Sequence, residues 1–257
     1  MRAIKNLFVL LIILALIAAG GLITLRVLRG KPSAPDQVKP NIVAVSSIGV
    51  SMYAARAGDK VLLFDAGADP YAKPVDAALG ALQASRVNIS DVFLTHGHGD
   101  HTAGASSLSG VKIRLGAGDL ALAEGKVPPE ALLPKLLGKG MSFPAVTATD
   151  PLTGATTIDV GGGKKVKAFP VAGHTPGSYA FLYDGVLFVG DAMVFKQGRL
   201  DHPMKLFEAN LDASKAAIRE LNKVLEKEEL ETICTGHGGC TPKGLGRNLL
   251  SDLAGRI

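Results

Sequence analysis

A cluster of metal-binding residue types occupies six consecutive positions near the middle of the chain. The cluster reads His96-Gly97-His98-Gly99-Asp100-His101. It follows an apolar run at 92–94, which predicts a buried strand that ends at Thr95. Because side chains two positions apart point to the same side of an extended backbone, His96, His98 and Asp100 can converge. The two intervening glycines allow a tight turn. This spacing predicts a metal site rather than ordinary surface or core histidines.

Further ligand-type residues follow other predicted strands. His174, Asp191 and His237 each come after an apolar run and lie beside glycine. Loops at strand ends, carried on a buried sheet, are where α/β proteins tend to gather their chemistry. Five of the six histidines therefore belong to one repeated pattern. His202 lacks this context, and we do not count it as a ligand.

The order of these residues resembles the metallo-β-lactamase superfamily of metallohydrolases. The resemblance runs from about Asn41 to His237, and it includes an earlier element, Leu62 to Gly67, that is similar to the strand-then-Asp-x-Gly segment of that family. It implies an α/β (α+β) fold, a four-layer αββα sandwich. The strand-rich halves of the sequence, each with predicted helices, fit that architecture.

The resemblance also implies a role for each ligand-type residue. One ion is expected to bind His96, His98 and His174, and a second ion is expected to bind Asp100, His101 and His237. Asp191 is expected to bind both ions. Asp100 and Asp191 are the expected catalytic residues. Asp65 is expected to orient a ligand imidazole as a hydrogen-bond acceptor; a simple turn residue at a strand end is the alternative.

This ligand chemistry predicts two divalent metal ions. Imidazoles and carboxylates suit zinc, iron or manganese, and zinc is the leading expectation. Two nearby dications lower the pKa of a shared water, which gives a bridging hydroxide nucleophile near neutral pH. The same ions polarise a carbonyl oxygen and stabilise the developing oxyanion. Hydrolysis is therefore the predicted reaction.

The predicted function is a membrane-tethered dinuclear hydrolase of a small-molecule ester, thioester or lactone. Asp191 stands where two groups of true β-lactamases carry cysteine or serine, so antibiotic hydrolysis is not favoured. A mononuclear iron sulfur dioxygenase of the same fold is one alternative. A catalytically silent, membrane-anchored binding protein is another, although such a protein has no need of the intact ligand set.

The N-terminus predicts a membrane anchor. Residues 7–25 are uncharged and almost wholly aliphatic, long enough to cross the bilayer as one helix. A cleavable signal peptide, which would make the protein secreted, is the alternative. The expected organisation is an anchor at 1–29, a linker at 30–40 and a hydrolase domain at 41–257 outside the cytoplasm.

The charge distribution argues against nucleic-acid binding. Without residues 1–31, which hold five basic and no acidic residues, the chain has 23 Lys and Arg against 23 Asp and Glu. The expected partners are the lipid bilayer and a small-molecule substrate. Lys196 and Arg199 are candidate contacts for an anionic group of that substrate, with a solvated loop as the alternative.

Local patterns predict the elements around the site. Asp184-Gly185 predicts a hairpin turn, and an amphipathic helix is expected from 211 to about 227 with Asp212 as its N-cap. Residues 117–160 and 192–210 are the least regular segments. Cys234 and Cys240 are interpreted as ordinary buried cysteines, with a disulfide as the alternative outside the cytoplasm.

Overall fold

The computed structural model describes residues 32–138 and 142–257. The predicted anchor at 7–25 lies outside these residues. Within the described ranges, no helix combines the length and the apolar character that crossing a membrane requires. The described chain forms two large β-sheets that face each other.

The first sheet has seven strands in chain order. They are β1 (Asp36–Lys39), β2 (Ile42–Ser47), β3 (Val50–Ala57), β4 (Lys60–Phe64), β5 (Ile89–Phe93), β6 (Lys112–Gly116) and β7 (Asp150–Leu152). β1 to β4 pair antiparallel, whereas β4 to β7 pair in parallel. The carboxyl ends of β4, β5 and β6 therefore meet at one edge.

The second sheet has six strands in the order β15-β14-β11-β10-β9-β8. They are β8 (Thr156–Gly161), β9 (Lys164–Pro170), β10 (Tyr179–Tyr183), β11 (Val186–Gly190), β14 (Thr232–Thr235) and β15 (Gly239–Cys240). β9, β11 and β14 run in the same direction, because β10 is antiparallel to both β9 and β11. A separate hairpin, β12 (Val194–Lys196) with β13 (Arg199–Asp201), follows β11.

Helices connect many of the strands, and the longer ones cover the outer faces of the two sheets. The helices are α1 (Lys73–Ala81), α2 (Gly99–Thr102), α3 (Leu120–Ala123), α4 (Leu132–Gly138), α5 (Leu211–Val224) and α6 (Gly246–Arg256). Val75 of α1 belongs to a core on the first sheet, and Ile218 of α5 belongs to a core on the second. A third core, between the sheets, contains Phe64 and Phe188, whose rings stack 3.9 Å apart. Three cores separate four layers, as the resemblance implies.

Strand burial explains the apolar runs of the sequence. In β4, Leu62 and Phe64 point into the core between the sheets, and Leu63 points to the helical side. A strand buried on both faces has no polar side, so it reads as a continuous apolar run. The predicted hairpin at Asp184-Gly185 is confirmed, with both residues at positive φ.

Three expectations about local structure are wrong. Residues 36–39 of the predicted linker form β1, because they pair with β2 and extend the first sheet by one strand. The N-cap of α5 is Asn210 instead of Asp212, since the Asn210 side chain accepts a hydrogen bond from the Ala213 amide at 3.0 Å. The segments expected to be irregular contain β7, β8, β12 and β13, which are short or paired at sheet edges.

Candidate metal centre

The ligand-type residues lie at the carboxyl ends of strands from both sheets. His96 follows β5 and Asp65 follows β4, while His174, Asp191 and His237 follow β9, β11 and β14. His98 precedes α2, which carries Asp100 and His101. Because the relevant strands run the same way within each sheet, their ends bring distant parts of the sequence to one edge of the sandwich.

Three histidines form a compact buried group, which we call the three-histidine group: His96, His98 and His174. The His98 Nδ1 lies 3.0 Å from the His96 Nε2 and 3.1 Å from the His174 Nε2. No residue of the group is more than 8% exposed. Three ring nitrogens that face one point are the arrangement in which imidazoles bind a transition metal.

Asp100, His101 and His237 form a second group, which we call the mixed group. The His237 Nε2 lies 3.7 Å and the His101 Nε2 3.9 Å from the same Asp100 carboxylate oxygen. The His101 side chain is fully buried, whereas the side chains of Asp100 and His237 are 34% and 43% exposed. The mixed group is therefore open to solvent on one side.

Asp191 stands between the two groups. One carboxylate oxygen lies 3.3 Å from the His101 Nε2, and the other lies 3.3 Å from the His237 Nε2 and 3.7 Å from the His174 Nε2. A single carboxylate thus faces histidines of both groups. This position fits the bridging role that the resemblance implies.

The residues fit a bound metal for a reason independent of the family. Within the described part of the chain, the buried His101 Nε2 and Asp191 Oδ1 have no hydrogen-bond partner. Buried polar atoms are rarely left unsatisfied, since the desolvation cost is about 1–3 kcal/mol each. Three overlapping sets of these residues bring their ligand atoms within 4.8 Å of one another. The arrangement could hold metal ions, which would satisfy both atoms.

Neighbouring hydrogen bonds fix the orientation of two histidines. The His101 Nδ1 donates to Asp65 at 2.8 Å, and the same carboxylate accepts from the Thr95 amide at 2.7 Å. The His237 Nδ1 donates to the Gly49 carbonyl at 2.8 Å. Each bond leaves the Nε2 lone pair free to face the centre. Asp65, at φ 58° just past β4, is thus placed to orient an imidazole.

Burial and charge shift the histidine pKa values of the two groups in opposite directions. Burial, aided by the neighbouring imidazoles, lowers the pKa of His96 well below its usual value, and burial lowers the pKa of His174 to about 4. Burial also opposes protonation of His101, but the carboxylates of Asp191 and Asp65 outweigh it and raise its pKa. Hydrogen bonding to Asp191 likewise outweighs burial at His237, whose pKa is raised. The carboxylates of Asp65 and Asp191 thus outweigh burial only at the histidines of the mixed group.

Lys196 and Arg199 are not brought into contact with the ligand-type residues. They face each other across the tip of the β12–β13 hairpin, where both are exposed. No hydrogen bond or ion pair of the described residues joins either one to the centre. The hairpin nevertheless packs beside His237, because a Cβ on Gly238 would lie 2.2 Å from the Phe195 carbonyl oxygen.

Two residues near the centre escape the sequence analysis. The Phe143 ring covers Gly99, where an added Cβ would lie 2.2 Å from a ring atom. Asp119 is fully buried and accepts a hydrogen bond from the Gly97 amide at 2.7 Å. The glycine-rich strand end Gly116-Ala117-Gly118-Asp119 is the signal that could have identified Asp119. Phe143 lies in an irregular segment without such a signal.

The interpretation of the cysteines as unpaired is wrong. Cys234 and Cys240 form a disulfide, which joins neighbouring residues of the antiparallel strands β14 and β15. Burial of Cys234 suggested an ordinary core cysteine, but the tight return of the chain after His237 brings Cys240 directly opposite. The disulfide therefore encloses the loop that carries His237.

Comparisons with known proteins agree with this geometry. A family model of the metallo-β-lactamase superfamily matches residues 48–237. The chain belongs to the metallo-β-lactamase superfamily. The match covers well over half of the sequence and spans every ligand-type residue from Asp65 to His237. Both the resemblance and, at the level of the family, the predicted class of metal-dependent hydrolases are confirmed.

Individual relatives are more distant. An uncharacterised Bacillus subtilis protein, YobT, is 30% identical over 158 residues, 58% of this chain and 64% of that protein. A hydroxyacylglutathione hydrolase of Anaeromyxobacter dehalogenans is 30% identical over 141 residues, 55% of this chain and 45% of that protein. The chain thus spans less than two thirds of the length of these relatives.

Solved structures support the fold. A subclass B3 metallo-β-lactamase of Bradyrhizobium japonicum has a TM-score of 0.66 at 19% identity, over 89% of this chain and 93% of that one. A metallo-β-lactamase of Cronobacter sakazakii has a TM-score of 0.63 at 19% identity, over 81% and 80% of the two chains. At this identity, the likeness shows the architecture alone.

Proposed function

We propose that this protein is a dinuclear metal-dependent hydrolase of a small ester, thioester or lactone. The observation that carries the proposal is the position of Asp191, whose carboxylate faces histidines of both groups. A carboxylate in this position can be shared by an ion in each group. The hydroxyacylglutathione hydrolase relative supports a thioester or ester among the candidate bonds.

The proposed cofactors are two divalent cations, with zinc expected for this set of imidazoles and carboxylates. When bound, they supply an activated water as nucleophile and polarise the carbonyl that is attacked. The three-histidine group would hold one cation and the mixed group the other, with Asp191 shared. Asp65 keeps the His101 imidazole oriented in this arrangement.

The open side of the mixed group is the proposed route for substrate. Asp100 and His237 are its partly exposed members, so a substrate carbonyl can approach there. Asp191 and Asp100 are the proposed catalytic carboxylates, because Asp191 faces both groups and Asp100 lies on the accessible face of the mixed group. Tyr179 and Tyr183 are not proposed as proton donors for the leaving group, since their hydroxyls donate to the carbonyls of Gly154 and Arg56.

One apolar side chain at the centre, together with exposed apolar side chains elsewhere on the domain, favours a substrate with an apolar part. The Phe143 ring covers the metal-binding loop at Gly99. α4 lies against residues 205–207, and exposed apolar side chains occur on both segments. They are Leu132, Leu136 and Leu206. Lys196 and Arg199, on the hairpin that packs beside His237, are the proposed contacts for an anionic group of the substrate.

One set of measurements tests the proposed reaction. The full chain in mild detergent would be analysed for bound metal and assayed against lactones, thioesters, phosphodiesters and a chromogenic β-lactam, with oxygen uptake recorded in parallel. We expect two equivalents of zinc and turnover of a lactone or thioester. A single iron with oxygen consumption would instead support the sulfur dioxygenase. A fully metallated, folded protein without turnover would support a silent binding protein.

We also propose that residues 7–25 tether a hydrolase domain, 41–257, outside the cytoplasm. The disulfide between Cys234 and Cys240 supports this location, because disulfides persist mainly in oxidising compartments. Alkaline phosphatase attached after residue 40 should be active in a bacterial host, and deletion of residues 1–31 should abolish that activity. Inactive phosphatase on the intact N-terminus would contradict the proposed orientation.

A further inference from the structure

Asp119 is a buried carboxylate that joins two loops of the centre. It lies just past β6 and is 0% exposed. One oxygen accepts from the Gly97 amide at 2.7 Å and from the Thr175 hydroxyl at 2.6 Å, and the other accepts from the Gly177 amide at 2.7 Å. All three hydrogen bonds to Asp119 are buried. Asp119 therefore makes no contact with solvent and none with a positively charged side chain among the described residues.

The donors place Asp119 between the two sheets at the centre. Gly97 lies between His96 and His98, on the loop after β5 of the first sheet. Thr175 immediately follows His174, on the loop after β9 of the second sheet. Asp119 thus connects the loops that supply all members of the three-histidine group. It contacts no member of the mixed group by hydrogen bond.

Close packing makes this connection rigid. A Cβ on Gly177 would lie 2.4 Å from the Asp119 amide nitrogen, and a Cβ on Gly97 would lie 2.9 Å from the Asp119 carbonyl oxygen. Neither position admits a side chain without displacing backbone. The two glycines therefore serve the approach of the Asp119 segment as well as the turns of their own loops.

We propose that Asp119 is a positioning residue that sets the metal affinity of the three-histidine group. The inference rests on the proposed function, since it requires that this group bind a cation. Hydrogen bonds from neutral donors to an ionised carboxylate are stronger than neutral ones. They hold the His96–His98 loop and the His174 loop at a fixed separation, so the three ring nitrogens need little reorganisation to bind an ion.

The chemistry of the carboxylate suggests a conservative variant. Asp119→Asn keeps the size of the side chain but replaces one acceptor oxygen by an NH₂ group, which faces a donor. At least one of the three buried donors then loses its partner. Thr175→Val is a milder second variant, because it removes one donor and retains the carboxylate. Asp159→Asn is the matched control, since exposed Asp159 also accepts a backbone amide, from Gly161 at 2.7 Å.

The test measures the two zinc affinities of the full chain by competition with a chromophoric chelator. His98→Ala and His237→Ala identify which affinity belongs to which group. We expect Asp119→Asn to weaken the affinity that His98→Ala removes by about 10–100-fold, the usual effect of losing a partner outside the ligand set. The affinity that His237→Ala removes should stay unchanged, as should both affinities of Asp159→Asn. Thr175→Val should act in the same direction but less.

The possible outcomes separate this inference from the proposed function. If wild-type protein binds no zinc, the proposed function fails and Asp119 has nothing to position. If wild-type protein binds two ions and folded Asp119→Asn binds both unchanged, or both equally weakened, the positioning role is wrong. Should Asp119→Asn lose its thermal unfolding transition, Thr175→Val decides, and wild-type affinities in that variant overturn the inference.

Discussion

The two halves of the centre use the same residue types in different environments. The three-histidine group is enclosed, and burial lowers the pKa of each of its imidazoles. The mixed group contains one fully buried histidine and two partly exposed ligand-type side chains, and its histidines have raised pKa values. This difference agrees with the proposal that one half retains an ion and the other meets the substrate.

Asp191 belongs to both halves, and its removal should have the largest effect. Asp191→Ala is expected to lower kcat/KM by more than about 100-fold, because losing a partner outside the ligand set already costs 10–100-fold. Bound metal, measured by mass spectrometry, should fall below two equivalents. Asp212→Ala, which removes an exposed carboxylate from the first turn of α5, is the control. Wild-type turnover in Asp191→Ala would contradict the proposed role of Asp191 as a ligand shared by both groups.

Asp65→Asn should separate the halves, with a smaller effect. The amide cannot accept from both Thr95 and His101 as the carboxylate does. Zinc affinity of the mixed group is expected to fall by about 10–100-fold, measured by chelator competition. The three-histidine group meets Asp65 only through the Thr95 hydroxyl, which contacts His96, so its affinity should fall less, the reverse of the Asp119→Asn result. Equal loss at both groups in each variant would mean that the halves act as one unit.

How far the sequence predicts this centre depends on how local the signal is. The ligand-type residues follow apolar strands, and the strand pattern places their ends together, so a common metal site could be predicted. Their division into two groups came only from the resemblance to the metallo-β-lactamase superfamily. Asp119 acts through loops 22 and 58 positions away, and no pattern near it shows which donors it meets. β1 and the short edge strands were missed because neighbouring strands decide their pairing.

The disulfide distinguishes the loops that carry His237 and His174. The first is closed by Cys234 and Cys240, the second by hydrogen bonds to Asp119. Replacing both cysteines by alanine should lower the free energy of unfolding by about 2 kcal/mol. This is the expected contribution of the entropy that so short a disulfide loop removes from the unfolded chain. Denaturant unfolding checks this. A reductant should destabilise the wild-type protein and leave the variant unchanged, and an equal response of both would contradict the role of the bond.

The smallest expected effect concerns the ionisation of Glu208, a buried carboxyl group near His174 in the enclosed half. Glu208 is 7% exposed, and the Ala209 amide next to it donates to the His174 carbonyl. Burial, opposed by the Ser214 hydroxyl and supported by the Asp191 carboxylate, raises the pKa of Glu208 from 4.5 to about 7. Folding therefore takes up a proton between these values, and the contribution of Glu208 to stability is lost as the pH rises from about 4.5 to 7.

Glu208→Gln removes this titration while keeping the size of the side chain. In metal-free protein, the variant should gain stability relative to wild type as the pH rises through that window, on the order of 1 kcal/mol once solvent screening is allowed for. Below about pH 4.5 the difference should be constant. Bound zinc should reduce it, because a cation near Asp191 favours the ionised carboxylate. A pH-independent difference would show that the enclosed half does not disfavour a further negative charge.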